Sequence, residues 1–214
     1  MIQGKKVVVI LPAFNAARTL RSVYEEIPFD VVDEVILTDD ASTDETKSVA
    51  EQLNIHHILV HTENKGYGGN QKTCYDKAIE IGADIIVMLH PDYQYTPKLI
   101  PSMAALIANR VHDVVLGSRI LGGGALRGGM PIYKYISNRW LTFVQNMATG
   151  AKLSEYHTGY RAFSREVLTR IDFALNDNGF IFDNQILSQV IVAGFRVGEI
   201  SCPAIYFPEA SSIS

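Results

Sequence analysis

The sequence predicts a single α/β domain in which a mostly parallel sheet is flanked by helices. Short runs rich in β-branched residues alternate with segments of helical periodicity through residues 1–119. This alternation is typical of a parallel sheet that carries helices on both faces and is joined by right-handed crossovers. No internal repeat or low-complexity tract interrupts it. We therefore expect one domain over residues 1–214, with a change of character after Arg119.

The first half holds five predicted strands. The first, 5–11, is almost continuously apolar and β-branched, as expected for a strand buried on both faces, and Pro12 is expected to end it. The remaining strands are predicted at 31–38, 56–61, 84–89 and 113–117, with helices at 17–27, 43–53, 69–81 and 97–109.

The second half is less regular. Residues 120–130 contain five glycines, which predict a mobile loop; a lid over a site and a plain surface linker are equally supported interpretations. A long amphipathic helix is predicted at 130–149. A strand at 160–164, a helix at 182–193 and a strand at 195–200 follow.

The composition limits the function. With 47% hydrophobic residues the chain can build one substantial core, and 19 Lys and Arg against 23 Asp and Glu do not favour nucleic-acid binding. Two distant cysteines indicate a reducing compartment. Neither a signal peptide nor an apolar run of ~20 residues is visible, so we expect a cytoplasmic protein, soluble or peripheral at the membrane. The abrupt end at Ser214 is compatible with a longer natural protein.

The second strand is predicted to end at two adjacent carboxylates, Asp39 and Asp40. In open α/β sheets ligands bind just beyond the carboxyl ends of the strands. Two acids there are poorly placed for burial but suit the base or ribose of a nucleotide, or a metal-bound diphosphate. Helix capping explains Thr43 and Asp44 well, but it requires only one carboxylate.

Other strand ends also carry polar residues. After the first strand, Pro12 fixes a turn and Phe14 suits packing near a base, although a simple turn is the alternative. After the third, the segment from Asn64 to Asn70 offers close backbone approach and free N–H groups to an anion, or only a tight turn. It lacks the ending of a P-loop.

The segment after the fourth strand could hold a metal ion. Asp92 offers a hard oxygen ligand for Mg²⁺ or Mn²⁺, Gln94 a carbonyl, and His90 a nitrogen that Mn²⁺ accepts more readily. A turn with a polar edge residue is the alternative. Arg119, after the fifth strand, has a guanidinium that suits phosphate oxygens.

Taken in order, the segments LPAFNAARTL, TDDASTDET, NKGYGGN, HPDYQYTP, GSR and EYHTGYRAFSREVL resemble the family-two glycosyltransferases of the GT-A fold. Within that family the chain resembles the dolichyl-phosphate mannosyltransferase branch, which uses polyprenyl-phosphate acceptors. The resemblance extends over residues 7–208. It implies a nucleotide-diphospho-sugar donor, bound Mg²⁺ or Mn²⁺, and inversion at the anomeric carbon.

The resemblance also implies roles for individual residues. Residues 1–119 would bind the nucleotide-sugar and residues 120–214 the acceptor. The catalytic candidates are Asp92, Arg119 and Asp183. The implied nucleotide-binding set is Pro12, Phe14, Asn15, Asp39, Asp40, Lys65 and Gly66; the metal set is Asp92, Gln94 and His90; and the acceptor-phosphate set is Arg119, Arg139 and Ser137.

The sequence departs from the family pattern at three positions. Ala16 stands where the family commonly has Glu, His90 replaces the first acid of the metal motif, and Glu155 replaces an Asp. The change at His90 weakens the expected Mg²⁺ affinity. His90 and Ala16 together also favour an alternative in which the chain is a nucleotide-sugar-binding module without catalysis.

The expected reaction is direct displacement of the nucleoside diphosphate by an acceptor oxygen. A lipid phosphate is ionised near neutral pH and needs no strong base. A soluble sugar or protein hydroxyl, the alternative acceptor, would need a carboxylate base, with Asp183 and Glu155 as candidates. The helix at 130–149 carries aromatic and cationic residues that suit a membrane interface, but we expect most of its aromatics to pack in the core.

Overall fold

The computed structural model describes residues 1–203, so residues 204–214 lie outside the described part. A single seven-stranded sheet forms its centre. The strands are β1 (Val7–Ala13), β2 (Glu34–Asp39), β3 (His57–Val60), β4 (Ile85–Met88), β5 (Val114–Ser118), β6 (Arg161–Ser164) and β7 (Val197–Ser201). Their spatial order is β3-β2-β1-β4-β6-β5-β7.

Eight α-helices surround the sheet in the described residues. They are α1 (Leu20–Glu25), α2 (Thr46–Gln52), α3 (Tyr67–Glu80), α4 (Ile100–Ala108), α5 (Gly124–Arg127), α6 (Ile132–Thr149), α7 (Arg165–Arg170) and α8 (Phe182–Val192). Two 3₁₀ turns, Pro97–Leu99 and Phe173–Leu175, complete the regular structure.

The sheet is mostly parallel, as predicted. β1 pairs in parallel with β2 and β4, β2 with β3, and β5 with β7. β6 is the exception, because it runs antiparallel between β4 and β5. The strand-helix alternation that predicts parallel pairing stops after β5, so the sequence did not reveal the direction of this strand.

Both faces of the sheet are covered. Side chains alternate along β1, so that Val7 and Val9 pack on one face and Val8 and Ile10 on the other. The first face packs against α1, α2 and α4, and the second against α3, α7 and α8. Burial on both faces explains why the central strands are apolar without alternation.

The element boundaries differ from the prediction in ways that matter for the site. β1 continues through Pro12 to Ala13, because Pro12 lies in the strand opposite Thr38. Residues 120–130 contain the short helix α5 rather than loop alone. α7 was not predicted. It begins after Ser164, whose hydroxyl accepts a hydrogen bond from the Val167 N–H, a normal helix N-cap.

Candidate functional site

The carboxyl ends of β1, β2 and β4 lie side by side at one edge of the sheet. Ala13 pairs with Asp39 across β1 and β2, and Ile10 pairs with Met88 across β1 and β4. The residues that follow these strands therefore share the edge at which open α/β sheets bind their ligands.

The loops after β1 and β2 form one hydrogen-bonded unit. Asp39 Oδ1 accepts hydrogen bonds from the N–H of Ser42, at 3.1 Å, and from the Ser42 hydroxyl. The same hydroxyl accepts from the Asn15 N–H at 2.8 Å, and Asn15 Oδ1 accepts from the Thr43 N–H at 2.9 Å. Phe14 lies beside this unit with 43% of its surface exposed, so its ring is available to a ligand.

Asp40 joins the end of β2 to the loop after β3. Its Oδ1 accepts hydrogen bonds from His61 Nδ1 at 2.6 Å and from the Lys65 N–H at 2.9 Å, and its Oδ2 accepts from the Gly66 N–H at 3.0 Å. Asp39 and Asp40 are only 3% and 2% exposed. The expectation that this pair is poorly placed for burial is therefore wrong, because loop donors satisfy both carboxylates.

The start of α3 is also satisfied from within the protein. The carbonyl oxygen of Asn178 accepts hydrogen bonds from the N–H groups of Gly68, at 2.7 Å, and Gly69, at 3.2 Å. The prediction of free N–H groups for an anion is wrong at these two positions. Gly66 has a φ of +83°, and a Cβ atom there would lie 2.7 Å from the Asn178 oxygen, so only glycine fits.

The loop after β4 carries the three predicted metal ligands. Asp92 Oδ1 accepts a hydrogen bond from the Gln94 N–H at 3.0 Å, and the intervening Tyr93 has a φ of 61°. The Thr19 hydroxyl donates to the carbonyl of Pro91 at 2.5 Å and ties the loop to α1. Burial raises the pKa of Asp92, and the nearby charges of His90 and Arg119 oppose that rise.

His90, the first residue of this loop, joins a second network. Tyr67, the first residue of α3, places its hydroxyl 2.9 Å from His90 Nε2 and donates to Asp183 Oδ2 at 2.7 Å. Asp183 Oδ1 accepts from Gln71 Nε2 at 3.3 Å and lies 3.6 Å from Arg161 Nη1. Both oxygens of Asp183 are therefore engaged, which does not favour the side chain as a general base.

Arg119 lies at the end of β5 and is bound by Glu155. Its backbone N–H donates to Glu155 Oε2 at 2.9 Å and its Nε donates to Oε1 at 2.9 Å. Its Nη2 contacts the same carboxylate and donates to the carbonyl oxygen of His157 at 2.9 Å. The guanidinium lies 5.9 Å from the ring centre of Tyr95. Arg119 is thus held rigidly at the same edge as Asp92.

Glu155 also connects this edge to α6. It is fully buried, and its Oε1 accepts a further hydrogen bond from Asn138 Nδ2 at 2.9 Å. This ion-paired, fully enclosed carboxylate does not fit the role of a base toward an incoming hydroxyl. The neighbouring Arg139 is exposed and donates to the carbonyl of Ser154 at 2.9 Å, and Ser137 is exposed on the same helix.

The outer surface of α6 is apolar and open. Only Asn138 and Thr142 of this helix are buried. Trp140 is 65% exposed, and a surface groove is lined by Trp140 with Tyr135, Ile136, Arg139 and Phe143. The prediction that most aromatic residues of this helix pack in the core is wrong, because the helix uses polar residues for its inward contacts. Across residues 1–203 no helix has the length and apolarity needed to cross a bilayer.

The individual contacts join these groups into a continuous edge. Asp40 binds the N–H of Gly66, the next residue Tyr67 contacts His90, and Asp92 lies within the electrostatic influence of His90 and Arg119. Pro12 is buried inside β1 and offers no side chain to a ligand at this edge.

The loop after β4 offers a divalent cation one carboxylate, one amide carbonyl and one imidazole. Within residues 1–203, no group of three or more His, Cys, Asp or Glu side chains is arranged to hold a metal ion by itself. Mg²⁺ and Mn²⁺ are commonly held by one or two carboxylates together with substrate phosphates, so a single carboxylate with a carbonyl and an imidazole remains suitable. Asp92, Gln94 and His90 fit Mn²⁺ better than Mg²⁺, because imidazole is a borderline ligand.

Two residues of the site, Tyr67 and Arg161, lie in segments that carry the family resemblance, but neither was assigned an individual role from the sequence. For Tyr67, an aromatic hydroxyl at the start of a helix beside a glycine-rich turn was a usable signal. Arg161 is fully buried and donates to three carbonyl oxygens, those of Thr158, Tyr156 and Asp183. Only a contact across the fold, from β6 to α8, reveals this role.

The fold and the acid-bearing strand ends define a GT-A-type domain. Over residues 8–172 the sequence matches the family described as Glycosyl transferase family 2, and the chain belongs to that family. It is 28% identical to a UDP-N-acetylglucosamine–dolichyl-phosphate N-acetylglucosaminyltransferase of Methanococcus voltae, covering 94% of this chain and 86% of that protein. It is 24% identical to a polyprenol monophosphomannose synthase of Mycolicibacterium smegmatis, covering 92% and 76%.

Solved structures support the fold assignment. Glucosyl-3-phosphoglycerate synthase from Mycobacterium tuberculosis, crystallised with Mn²⁺, uridine diphosphate and phosphoglyceric acid, superposes with a TM-score of 0.72 at 22% identity. The match covers 96% of this chain and 72% of that one. The same synthase has also been crystallised with Mg²⁺ and uridine diphosphate. At this identity the likeness establishes the fold.

Proposed function

We propose that the protein transfers a sugar, with inversion, from a nucleotide-diphospho-sugar to a polyprenyl phosphate at the cytoplasmic face of a membrane. The observation that carries the acceptor class is the exposed apolar surface of α6. This surface is linked through Asn138 and Glu155 to Arg119 at the sheet edge. A lipid tail and a phosphate could therefore be accommodated on adjacent parts of one molecule.

The donor would bind at the ends of β1, β2 and β4. Phe14 would contact the base, and the unit formed by Asn15 and Asp39 would shape the nucleoside pocket, while Asp40, Lys65 and Gly66 would support its wall. Two similar proteins favour this assignment. The relative from M. voltae is named for a UDP-sugar donor, and the M. tuberculosis synthase was crystallised with uridine diphosphate. Residues 1–119 would thus form the donor half and residues 120–214 the acceptor half.

The reaction would be a single displacement. An oxygen of the acceptor phosphate forms a bond to the anomeric carbon, while the bond from that carbon to the diphosphate breaks and its electron pair leaves with the nucleoside diphosphate. Arg119, fixed by Glu155, would stabilise the growing negative charge. A divalent cation held by Asp92, Gln94 and His90 would supply further charge stabilisation when bound.

A phosphate acceptor would explain why neither candidate carboxylate is free to act as a base. An acceptor phosphate is already ionised and requires no strong base. Asp183 and Glu155, the two base candidates, are both occupied by neighbouring donors. Arg139 and Ser137, exposed on α6, would contact the acceptor phosphate, and the segment 120–130 beside them would act as a lid.

The test is a donor screen by mass spectrometry with purified protein, Mn²⁺ or Mg²⁺, and a polyprenyl phosphate in detergent. Formation of a polyprenyl-phosphate sugar from one nucleotide-sugar is the expected result. Parallel reactions with phosphoglyceric acid examine a soluble acceptor, which the M. tuberculosis synthase structures favour as the second candidate. Donor binding without transfer to either acceptor would instead support a non-catalytic module, the alternative that His90 and Ala16 favour.

A further inference from the structure

His90 stands where the resemblance predicts an acid, and its surroundings are specific to an imidazole. Its ring lies against the backbone of Gly159, where a Cβ atom would come within 2.5 Å of both Cδ2 and Nε2. On another side it stacks on Tyr67, with ring centres 5.3 Å apart. The ring is therefore confined in orientation by a glycine and a tyrosine.

The hydrogen bonds of Tyr67 determine which ring nitrogen carries the proton. The phenol has one hydrogen, and the Asp183 carboxylate 2.7 Å away can only accept it. The 2.9 Å contact between the phenol oxygen and His90 Nε2 must then use a hydrogen on the nitrogen. Neutral His90 thus carries its proton on Nε2 and a lone pair on Nδ1.

The direction of the hydrogen bonds that link His90, Tyr67 and Asp183 is set at Asp183. Gln71 Nε2 and Arg161 Nη1 lie on the Oδ1 side of Asp183, at 3.3 and 3.6 Å, and both are donors. They hold the carboxylate so that Oδ2 faces Tyr67. The contact with Tyr67 uses Nε2 of His90 and leaves Nδ1 on the other side of a ring that is only partly buried.

We infer that Tyr67 is a positioning residue, held by Asp183, that fixes His90 in the Nε2–H tautomer and so presents Nδ1 as a nitrogen ligand for a borderline divalent cation such as Mn²⁺. The cation part of the inference rests on the proposed function; the tautomer part does not. Metal-binding histidines commonly donate their other ring N–H to a carboxylate or carbonyl, and here a phenol relays the link to Asp183.

The first experiment determines the tautomer of His90 in the metal-free protein by long-range ¹H–¹⁵N NMR, with the signal assigned by comparison with His90→Gln. We expect the Nε2–H form in the natural sequence. Asp183→Asn should reverse the direction of both hydrogen bonds. The new amide oxygen stays on the side of Gln71 and Arg161, so the amide N–H₂ donates to the phenol oxygen of Tyr67. The phenol then donates its own hydrogen to His90 Nε2. We therefore expect the Nδ1–H form in Asp183→Asn.

The second experiment measures the binding of Mn²⁺ alone by the loss of its free EPR signal. We expect Tyr67→Phe and Asp183→Asn to weaken binding by about 10-fold, the lower end for residues that orient a metal ligand. Tyr24→Phe is the matched control. Tyr24 lies on α1 and its ring packs against Phe29 rather than His90, so this variant should bind Mn²⁺ normally.

An Nδ1–H tautomer in the natural protein would overturn the inference, whether or not the variants fold. So would an unchanged tautomer in Asp183→Asn, or Mn²⁺ binding equal to the control in both variants. Because none of these measurements uses a sugar donor or an acceptor, failure of sugar transfer would count against the proposed function alone.

Discussion

Strands β2 and β4, which lie on either side of β1, both end in acidic loops, but the two loops differ in how far the protein satisfies their carboxylates. Asp40, after β2, accepts three hydrogen bonds from within the protein. Asp92, after β4, is buried enough for its pKa to rise, and its carboxylate accepts hydrogen bonds from backbone N–H groups of its own loop, among them that of Gln94. The carboxylate of Asp40 stabilises the fold, whereas the carboxylate of Asp92 can still accept a ligand, at a cost to stability.

Replacing Asp92 tests the open loop most strongly. We expect Asp92→Asn to lower the rate of sugar transfer by about 10²–10³-fold, since it removes the carboxylate proposed to hold the cation that would stabilise the leaving diphosphate. The free energy of unfolding should stay the same or rise slightly, because burial penalises the charged carboxylate. Steady-state kinetics and urea unfolding measure the two effects. A large loss of stability would show that Asp92 is structural after all.

The matched substitution after β2 should have the reverse profile. Asp40→Asn places amide hydrogens against the N–H groups of Gly66 or Lys65 and breaks a buried network. We expect a loss of about 2–4 kcal/mol in the free energy of unfolding. The remaining folded fraction should bind Mn²⁺ normally. Unchanged stability together with lost donor binding would reverse the comparison and make Asp40 a direct ligand contact.

The contrast explains how much the sequence could predict. The strand runs, their succession along the chain and the acid-bearing strand ends follow from local patterns, so the mostly parallel sheet was predicted correctly, as was the common edge at which these strand ends lie. Whether a carboxylate is satisfied depends on donors distant in the chain, such as the Lys65 N–H for Asp40 and Arg119 for Glu155. The sequence pattern does not contain that information, and burial of the Asp39–Asp40 pair was misjudged for this reason.

The exposed aromatic residues of α6 were mispredicted for a similar reason. Its aromatic content suggested core packing, because aromatic residues are usually buried. The helix instead directs Asn138 and Thr142 inward, where Asn138 meets Glu155, and leaves its apolar residues outside. Hydrophobic content alone could not identify the inward side, because that side is polar.

The exposed apolar surface of α6 can be tested in the same way as the acidic loops, by a single substitution. We expect Trp140→Ser to weaken binding to vesicles containing anionic lipid by about 10-fold, since apolar area is lost from an interfacial helix. The free energy of unfolding should change by less than ~0.5 kcal/mol, as for most exposed positions. Vesicle co-sedimentation measures the binding.

The control for that experiment is Val192→Ser, at an 85% exposed position on α8. It should not alter vesicle binding if α6 provides the contact. Equal effects of the two substitutions would indicate a nonspecific response to surface hydrophobicity, and no effect of Trp140→Ser would remove α6 from the membrane contact.

The smallest expected effect concerns His157, whose buried Nε2 has no hydrogen-bond partner within the described residues. Burial lowers the pKa of this imidazole, so the unfolded chain binds more protons than the folded one below an ordinary histidine pKa of about 6.5. Its contribution therefore makes the protein less stable as the pH falls from about 6.5 toward the lowered folded-state pKa. We expect His157→Gln to reduce the difference in urea midpoint between pH 7.5 and pH 5.5. An equal or larger difference in the variant would mean that protonation of His157 in the folded state is not penalised, and that this group, like Asp40, is satisfied by its surroundings.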